Sequence, residues 1–354
     1  MEILHQIRGR GAAYNPPNRF ERLHVELDPL PADPDEPEPW KETQYFRDAS
    51  RSILARNDSP DIPFSVSVNP YRGCAHGCIY CYARPTHEYL GFSAGLDFEA
   101  RIMVKEDAPE LLREALASPR YRPEVIAMSG VTDCYQPVER KLRVTRRCLE
   151  VLAEARNPVS IVTKNHLVTR DVDLLAELAS HGGALVFLSI TTLDPKLQRV
   201  MEPRTSTPAR RLDAIRELSA AGIPTGVMVA PVVPGLTDHE MPAILEAAAG
   251  AGARSAGYVP LRLPFAVKEL FGEWLERHFP DRRDKVLNRV REMRGGKLND
   301  PGFGSRMRGE GIWAAHLKAV FATSTRRLGL NERSLDLSTA SFRRPHTGPQ
   351  LDMF

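Results

Sequence analysis

The sequence contains few cysteines: five among 354 residues, an odd number. Small secreted domains carry a dense and usually even set of cysteines, so we do not expect disulfide bonds to support this fold. The chain opens with no secretory leader pattern, and it contains no apolar run long enough to span a membrane. We therefore predict a cytoplasmic protein that keeps its cysteines reduced and makes no membrane contact.

The chain also has little excess charge, with a formal net charge of +3, but that charge is distributed unevenly. Residues 1–60 carry eight Lys and Arg against eleven Asp and Glu, whereas residues 281–354 carry fifteen against eight. A basic C-terminal section favours a polyanionic partner such as a nucleic acid. A solvated basic surface without a partner is the alternative.

Three of the five cysteines lie close together and form a C-x3-C-x2-C pattern. They are Cys74, Cys78 and Cys81, and an aromatic residue, Tyr80, precedes the last one. Three thiolates on one short loop can bind three irons of a 4Fe–4S cluster. No fourth cysteine follows at the same spacing, so the pattern predicts a cluster whose fourth iron is left open for another ligand.

Zinc binding is the alternative function of these cysteines. A structural zinc ion normally has four ligands, often supplied by paired C-x2-C units, and only Cys78 and Cys81 form such a pair. His76 or His87 would have to complete the set, and neither spacing matches a common zinc module. The spacing therefore favours an iron–sulfur cluster.

Beyond residue 61 the sequence alternates between short apolar runs and helical segments. Such runs are typical of strands buried on both faces, and the six candidates are Phe64–Val68, Glu124–Met128, Val159–Thr163, Leu185–Ile190, Thr225–Ala230 and Ala256–Leu261. Between them we predict helices, among them Leu142–Ala155, one capped by Thr207, and one capped by Thr237. Repeated strand–helix units predict a parallel α/β sheet, and six strands are too few for a closed eight-stranded barrel.

The chain is predicted to have four sections. They are a polar, Pro-rich N-terminal extension (1–60), the α/β barrel (61–268), a helical basic section (269–342) and a flexible tail (343–354). Within the first, Arg8–Ala12 is predicted to be basic and flexible, as an arm toward nucleic acid or as a plain tail. Within the third, a helix over Gly311–Thr325 is expected to cover the open edge or the base of the barrel.

The cysteine pattern with its aromatic residue resembles that of the radical S-adenosylmethionine (SAM) superfamily. Longer segments resemble a group of DNA repair photolyase-type members of that superfamily, relatives of spore photoproduct lyase: residues 59–74, 81–91, 129–139 and 202–208. The resemblance implies a partial (β/α)6 barrel of the TIM type, with its site at the carboxyl ends of the strands. It also implies two cofactors, a 4Fe–4S cluster and SAM, and an electron donor such as flavodoxin or ferredoxin.

The resemblance further implies a radical SAM enzyme that reductively cleaves SAM and abstracts hydrogen from a substrate. We expect that substrate to be a nucleic acid undergoing repair or modification. The same chemistry on a protein, a peptide or a small molecule is one alternative, because a fold does not define a substrate. A non-enzymatic iron–sulfur or zinc protein that binds nucleic acid is the other.

The resemblance, carried over residue by residue, also implies a SAM site. Tyr80 would lie against the adenine of SAM, and Thr132 and Asp133 would lie near its methionine part and its ribose. Lys164 would lie near the carboxylate of SAM, and Ser189 would face the ribose. Local structural roles are the alternatives: a turn or a cap for Thr132 and Asp133, a backbone hydrogen bond for Ser189 and an exposed loop position for Lys164.

One position departs from the lyase pattern. The lyase has a cysteine as hydrogen donor just before the Thr/Ser-Asp pair, and Gly130 occupies that place here. Cys134 follows Asp133 in the same loop and is the candidate catalytic residue, with a small buried packing residue as the alternative. Cys148 lies on an apolar helical face and is predicted to belong to the core.

The final five residues form a motif of their own. Gln350-Leu351-Asp352-Met353-Phe354 resembles the short peptide by which bacterial repair and replication proteins bind the sliding clamp. The resemblance implies Gln350 in one pocket and Leu351, Met353 and Phe354 as apolar anchors. A C-terminus that folds back and buries Phe354 on its own domain is the alternative.

Overall fold

The computed structural model describes residues 9–20 and 42–346. In chain order the strands of these residues are β1 (Gln44–Arg47), β2 (Leu54–Arg56), β3 (Val66–Val68), β4 (Tyr71–Arg72), β5 (Arg101–Val104), β6 (Ile126–Met128), β7 (Val159–Thr163), β8 (Ala184–Ser189), β9 (Thr225–Val232) and β10 (Ser255–Pro260).

The helices of the same residues lie mostly between these strands. They are α1 (Leu96–Ala100), α2 (Ala108–Ala117), α3 (Glu139–Leu142), α4 (Val144–Ala155), α5 (Val172–Ser180), α6 (Pro195–Met201), α7 (Pro208–Ala220), α8 (Met241–Gly250), α9 (Val267–His278), α10 (Pro280–Glu292), α11 (Ser305–Arg308) and α12 (Gly311–Arg327). Short 3-10 segments cover Arg84–Leu90, His166–Asp171 and Asp238–Glu240. None of the helices within residues 9–20 and 42–346 combines the length and the hydrophobicity of a transmembrane segment.

A seven-stranded sheet forms the centre of the molecule, with the strand order β10-β9-β8-β7-β6-β3-β2. The six strands from β3 to β10 in this order are parallel, and β2 pairs antiparallel with β3 at the edge. Each predicted strand corresponds to one of the parallel strands, with bounds within two residues of those predicted. The predicted partial (β/α)6 barrel is confirmed.

Side chains on the strands alternate between the helices and the interior of the barrel, as the period of two requires. On β7, Val159 and Ile161 lie on one face and are completely buried. Val162 lies on the other face and is 38% exposed. On β9, Gly226 leaves room for a large neighbour: a Cβ at this position would lie 2.3 Å from Cε1 of Phe187 on β8. The interior therefore combines small residues with a few bulky ones that pack over them.

Sequence analysis did not find the strands β1, β2, β4 and β5. β1, β5 and β4 form a separate three-stranded sheet, in the order β1-β5-β4. Every residue of β1 is exposed and β4 has only two residues, so neither shows an apolar run or a clear alternation. Residues 44–56 thus contribute strands to both sheets.

The two predicted caps have different outcomes. Thr207 caps α7, since its side chain accepts a hydrogen bond from the Arg210 amide. Thr237 was wrongly predicted as a cap: its hydroxyl oxygen accepts from the Val233 amide at 3.0 Å, and a 3-10 turn intervenes before α8 begins at Met241. Its side chain therefore closes the loop after β9.

The section after residue 267 covers the barrel in two places. α12 packs against α8 and the edge strand β10, with the rings of Tyr258 and Phe321 4.7 Å apart. The open side between the edge strands β10 and β2 is bridged by α11, because Arg306 donates to Asp61, between β2 and β3, at 2.6 Å and 2.8 Å. The helix predicted over Gly311–Thr325 exists as α12 and covers the β10 edge, while the short helix α11 covers the open side.

A second apolar core lies at the end of the barrel where the strands terminate. α9 and α10 contribute Phe271, Trp274 and Leu287, and the cysteine loop contributes Cys78 and Ile79. The loop is thus embedded between the barrel and these helices.

Candidate cofactor site at the mouth of the barrel

The three cysteines of the motif lie on one loop, residues 74–81, which follows β4 at the carboxyl ends of the barrel strands. Cys74 and Cys78 are buried and Cys81 is partly exposed, and all three are free thiols. The loop is held by backbone hydrogen bonds, among them the Cys74 amide to the Phe98 carbonyl at 2.8 Å. The structure therefore presents three reduced thiols from one segment.

The chemistry of this donor set fits an iron–sulfur cluster. Burial raises the pKa of Cys78 well above its usual value, and the Glu202 carboxylate and then the nearby thiols of Cys81 and Cys74 raise it further, so thiolates here need a cationic group to bind them. A zinc ion requires all its ligands in one coordination sphere, whereas each thiolate of a cluster binds a different iron.

Polar side chains from the segments that follow two strands, β6 and β7, hold the cysteine loop. Gln136 accepts a hydrogen bond from the Ala75 amide at 3.0 Å. The buried ring of His76 lies between two partners, with Nδ1 3.3 Å from Asp133 and Nε2 3.2 Å from the Asn165 amide group. The ends of β6 and β7 therefore fix the loop in place.

Asp133 connects these two strand ends. Its carboxylate accepts hydrogen bonds from the Thr163 hydroxyl and from the amides of Lys164 and Tyr135, all between 2.8 Å and 2.9 Å. Burial alone raises the pKa of Asp133, but His76 and these hydrogen bonds outweigh it and lower the pKa to about 2. Asp133 is therefore an ionised residue that joins the ends of β6 and β7 to the cysteine loop.

Lys164 and Ser189 lie together on the inner side of the barrel mouth. The Lys164 ammonium donates to the Ser189 hydroxyl at 2.5 Å and to the Ala230 carbonyl at 3.1 Å. It also lies 5.8 Å from the centre of the Tyr80 ring. The two predicted residues from β7 and β8 thus converge beside the predicted aromatic residue of the cysteine loop.

The Tyr80 hydroxyl belongs to a buried network that contains Glu202, a residue the sequence analysis did not assign to the site. Tyr80 donates to Glu202, which also accepts from Thr191 at 2.7 Å and forms an ion pair with Arg211. Burial by itself raises the pKa of Glu202, yet Arg211 and Lys164 lower it to about 2. The one available signal was the 202–208 segment, which carried part of the family resemblance.

Thr132 and Cys134 are both buried, and their neighbours belong to the protein core. Thr132 is 3% exposed and its hydroxyl donates to the Tyr71 carbonyl at 2.7 Å. Cys134 is completely buried in the main apolar core, which also contains Cys148. This placement favours the packing role of Cys134, and its role as hydrogen donor stays a prediction.

The family model of the Radical SAM superfamily matches residues 68–248 of this chain. An uncharacterized protein of Mycobacterium tuberculosis is 39% identical over 250 residues, which cover 70% of this chain and 72% of the relative. An uncharacterized protein of Methanocaldococcus jannaschii is 32% identical over 173 residues, which cover 49% of this chain and 62% of that protein. The chain belongs to the radical SAM superfamily and is a radical SAM enzyme.

Among solved structures the fold is similar to that of spore photoproduct lyase. The lyase complexed with dinucleoside spore photoproduct has a TM-score of 0.57 at 17% identity, over 81% of this chain and 80% of that one. A mutant of the lyase with bound AdoMet and dinucleoside spore photoproduct has a TM-score of 0.58 at 17% identity, with 82% of each chain covered. The expectation of a lyase-like radical SAM fold is confirmed.

Proposed function

We propose that this radical SAM enzyme acts on nucleic acid, with Cys74, Cys78 and Cys81 as the cluster ligands. The chemistry that the cluster and SAM would supply when bound is reductive cleavage of SAM, with one electron from an external donor protein, followed by hydrogen abstraction from the substrate. Lys164, with its charge next to Ser189, suits the carboxylate of SAM. The Tyr80 ring, fixed through Glu202, offers a flat apolar surface beside it for the adenine.

The observation that carries the nucleic-acid proposal is an arginine at the mouth of the barrel. Arg262 follows β10, and its only hydrogen bond recorded in the described residues goes to the Met307 sulfur at 2.9 Å. Its Nε atom is buried without a partner, and burial lowers the pKa of this guanidinium. The nearby carboxylate of Asp61 is bound by Arg306. A guanidinium whose nearest carboxylate is already engaged favours an anionic ligand such as a phosphate.

An exposed aromatic residue accompanies this arginine. Tyr82, which directly follows the last cysteine, is 51% exposed, and the Arg262 guanidinium lies 5.5 Å from its ring centre. The Tyr82 hydroxyl donates to the Gly130 carbonyl at 2.8 Å, so the ring stands above the end of β6. An aromatic face beside a guanidinium is how proteins bind unstacked bases and their phosphates.

The fold likeness to spore photoproduct lyase also supports a nucleic-acid substrate, and the basic C-terminal section agrees with it. A relative from Pseudomonas phage M6, named radical SAM Nalpha-GlyT isomerase, is 24% identical over 197 residues, or 55% of this chain and 39% of that protein.

Three further proposals accompany this one: electrons come from a flavodoxin or a ferredoxin, the protein works in the cytoplasm, and Gln350–Phe354 binds the sliding clamp.

The test is SAM cleavage by anaerobically reconstituted protein with a chemical reductant. We expect 5′-deoxyadenosine to form faster with single-stranded DNA, duplex DNA or RNA than without, and Arg262→Ala to remove most of this stimulation. Arg291→Ala, which changes an exposed arginine of α10, is the matched control and should retain it. Stimulation by a peptide or metabolite pool but by no nucleic acid would support the alternative substrate class.

A further inference from the structure

A completely buried arginine lies beneath the cysteine loop. Arg84 donates to the backbone carbonyls of Cys78 at 3.0 Å and Gly77 at 3.3 Å. It also donates to the carbonyls of Ala94 at 3.1 Å and Gly95 at 2.9 Å. One side chain thus joins the middle of the loop to the segment that leads into α1.

The charge of Arg84 is balanced by Glu99, which is also completely buried. The Glu99 carboxylate in turn accepts hydrogen bonds from the amides of Gly11 at 3.0 Å and Ala12 at 2.8 Å. Arg10, only 1% exposed, donates to the Glu99 carbonyl at 2.8 Å. Residues 10–12 are therefore not the flexible basic arm that the composition predicted, because burial removes Arg10 from contact with a polyanion.

Two glycines allow this segment to contact the cysteine loop directly. A Cβ at Gly11 would lie 1.9 Å from the Gly77 carbonyl oxygen, so no side chain fits there without movement. Gly77 itself has φ +67°, and a Cβ on it would lie 2.6 Å from the Glu99 carboxylate. The backbone of residue 11 thus lies in contact with the middle of the loop that carries the cysteines.

The rest of this N-terminal segment is attached along its length. Residues 9–20, which we call the N-terminal strap, bind the 84–99 region through the Tyr14 carbonyl with the Leu96 amide, Asn15 with the Asp97 amide, the Pro16 carbonyl with the Ser93 hydroxyl, and Arg19 with Glu88. Ala12 is 2% exposed in the same apolar core as Cys78 and Tyr80. The strap therefore covers one side of the cysteine loop and excludes water from it.

We propose that the N-terminal strap, anchored by Glu99, closes the cysteine loop against solvent, and that its release sets the rate at which the protein loses its cluster. Oxygen, water or a chelator must reach the irons before a cluster is lost, and a loop held on both sides by Arg84 and Gly11 opens rarely. The proposal goes beyond the substrate question and rests only on the assignment of Cys74, Cys78 and Cys81 as cluster ligands.

The test compares cluster loss with global stability in matched variants. Gly11→Ala and Glu99→Gln disturb the strap, and Ser93→Ala removes one distant tether as a milder change. Gly226→Ala crowds Phe187 inside the sheet, and Asp171→Asn removes a charge that is equally buried and paired with Arg146 and Arg170. Bleaching of the visible cluster absorbance by an iron chelator and by air gives the rate of loss, and circular dichroism of the cluster-free protein gives the melting temperature.

The expected result is that Gly11→Ala and Glu99→Gln lose the cluster about tenfold faster than the unmodified chain, which corresponds to about 1.4 kcal/mol in the opening equilibrium. The controls Gly226→Ala and Asp171→Asn should lower the melting temperature at least as much as the two strap variants do. They should change the rate of cluster loss by less than about twofold. The proposal is overturned if the rate of cluster loss simply follows the melting temperature across all five variants. It is also overturned if Gly11→Ala and Glu99→Gln lose the cluster at the rate of the unmodified chain. Iron that remains bound in Cys74→Ala would instead refute the ligand assignment.

Discussion

The hydroxyl of Tyr80 donates a hydrogen bond to the carboxylate of Glu202, which lies 122 positions further along the chain. The neighbouring backbones run together as well, since the Ile79 amide donates to the Met201 carbonyl at 3.1 Å. Glu202 also lies 3.9 Å from the Lys164 ammonium. One carboxylate thus joins the cysteine loop to the polar residues inside the barrel mouth.

Replacement of this carboxylate should be costly at neutral pH. Glu202→Gln leaves the buried Arg211 without its charge partner, and we expect the free energy of unfolding of the cluster-free protein to fall by about 3 kcal/mol. Glu217 is an exposed residue that pairs with His166. Glu217→Gln should change the free energy of unfolding by less than about 0.5 kcal/mol. Urea denaturation measures both variants, and equal effects would show that the ion pair contributes nothing specific.

The same variant should reveal a dependence on pH. The pKa of Glu202 is about 2 in the folded protein, below its ordinary value of 4.5, so its contribution is fully present above about pH 5 and is lost as the pH falls toward 2. The difference in stability between the unmodified chain and Glu202→Gln should therefore shrink between about pH 5 and pH 3. A difference that stays constant over this range would contradict a depressed pKa.

The cluster ligands are tested by iron content. Cys74→Ala, Cys78→Ala and Cys81→Ala should each abolish the roughly four irons per chain expected after anaerobic reconstitution. Cys148→Ala should retain them, since Cys148 lies on the buried face of α4. Full zinc occupancy without iron after reconstitution would refute the cluster.

Replacement of Lys164 and replacement of Asp133 should have different effects on iron content, although both residues were predicted to contact SAM. Lys164→Ala removes a charge at the mouth, so iron content should remain while SAM binding weakens about tenfold or more. Asp133→Ala also removes the hydrogen bonds to His76 and the Lys164 amide, so both iron retention and SAM cleavage should fall. Equilibrium binding of SAM together with iron analysis separates the two, and identical behaviour would contradict the structural role of Asp133.

The barrel was predictable because its strands are short apolar runs, and the cysteine loop was predictable because its spacing is fixed by the ligands. The supports of that loop were not. Glu99 and Glu202 acquire their roles only when distant segments meet, and Arg84 binds loop carbonyls that no sequence pattern marks. A glutamate just after a short helix such as α6 has no local signature. All residues of β1 are exposed. Because neither face of this strand is buried, its sequence does not alternate between apolar and polar residues.

Cys134 distinguishes a packing residue from a hydrogen donor. Because it is completely buried, Cys134→Ala should cost about 1–2 kcal/mol of stability through the small cavity it leaves. SAM cleavage and product formation should continue at the rate of the unmodified chain. Cleavage of SAM that continues while product formation stalls or gives a different product would show that the thiol donates hydrogen, despite its burial.

The clamp peptide can be tested on the intact chain, because the described residues before it are attached to the protein. Residues 338–344 run along the ends where the barrel strands begin: the Arg343 amide donates to the Ala155 carbonyl at 2.9 Å, and the Arg344 guanidinium donates to the Tyr121 carbonyl at 3.1 Å. Gln350–Phe354 itself lies outside the described residues. The described residues that precede this motif therefore lie at the opposite end of the barrel from the cysteine loop.

We expect the intact protein and a peptide of residues 343–354 to bind purified sliding clamp with similar affinity, since a few buried side chains supply most of the energy of such linear motifs. Gln350→Ala and the double change Leu351→Ala/Phe354→Ala should each weaken binding at least tenfold, whereas Asp352→Ala, between the proposed anchors, should change it little. Calorimetry or fluorescence anisotropy measures all four. Binding that ignores the anchor changes, or no binding by either the protein or the peptide, would remove the clamp as a partner and weaken the case for a DNA substrate.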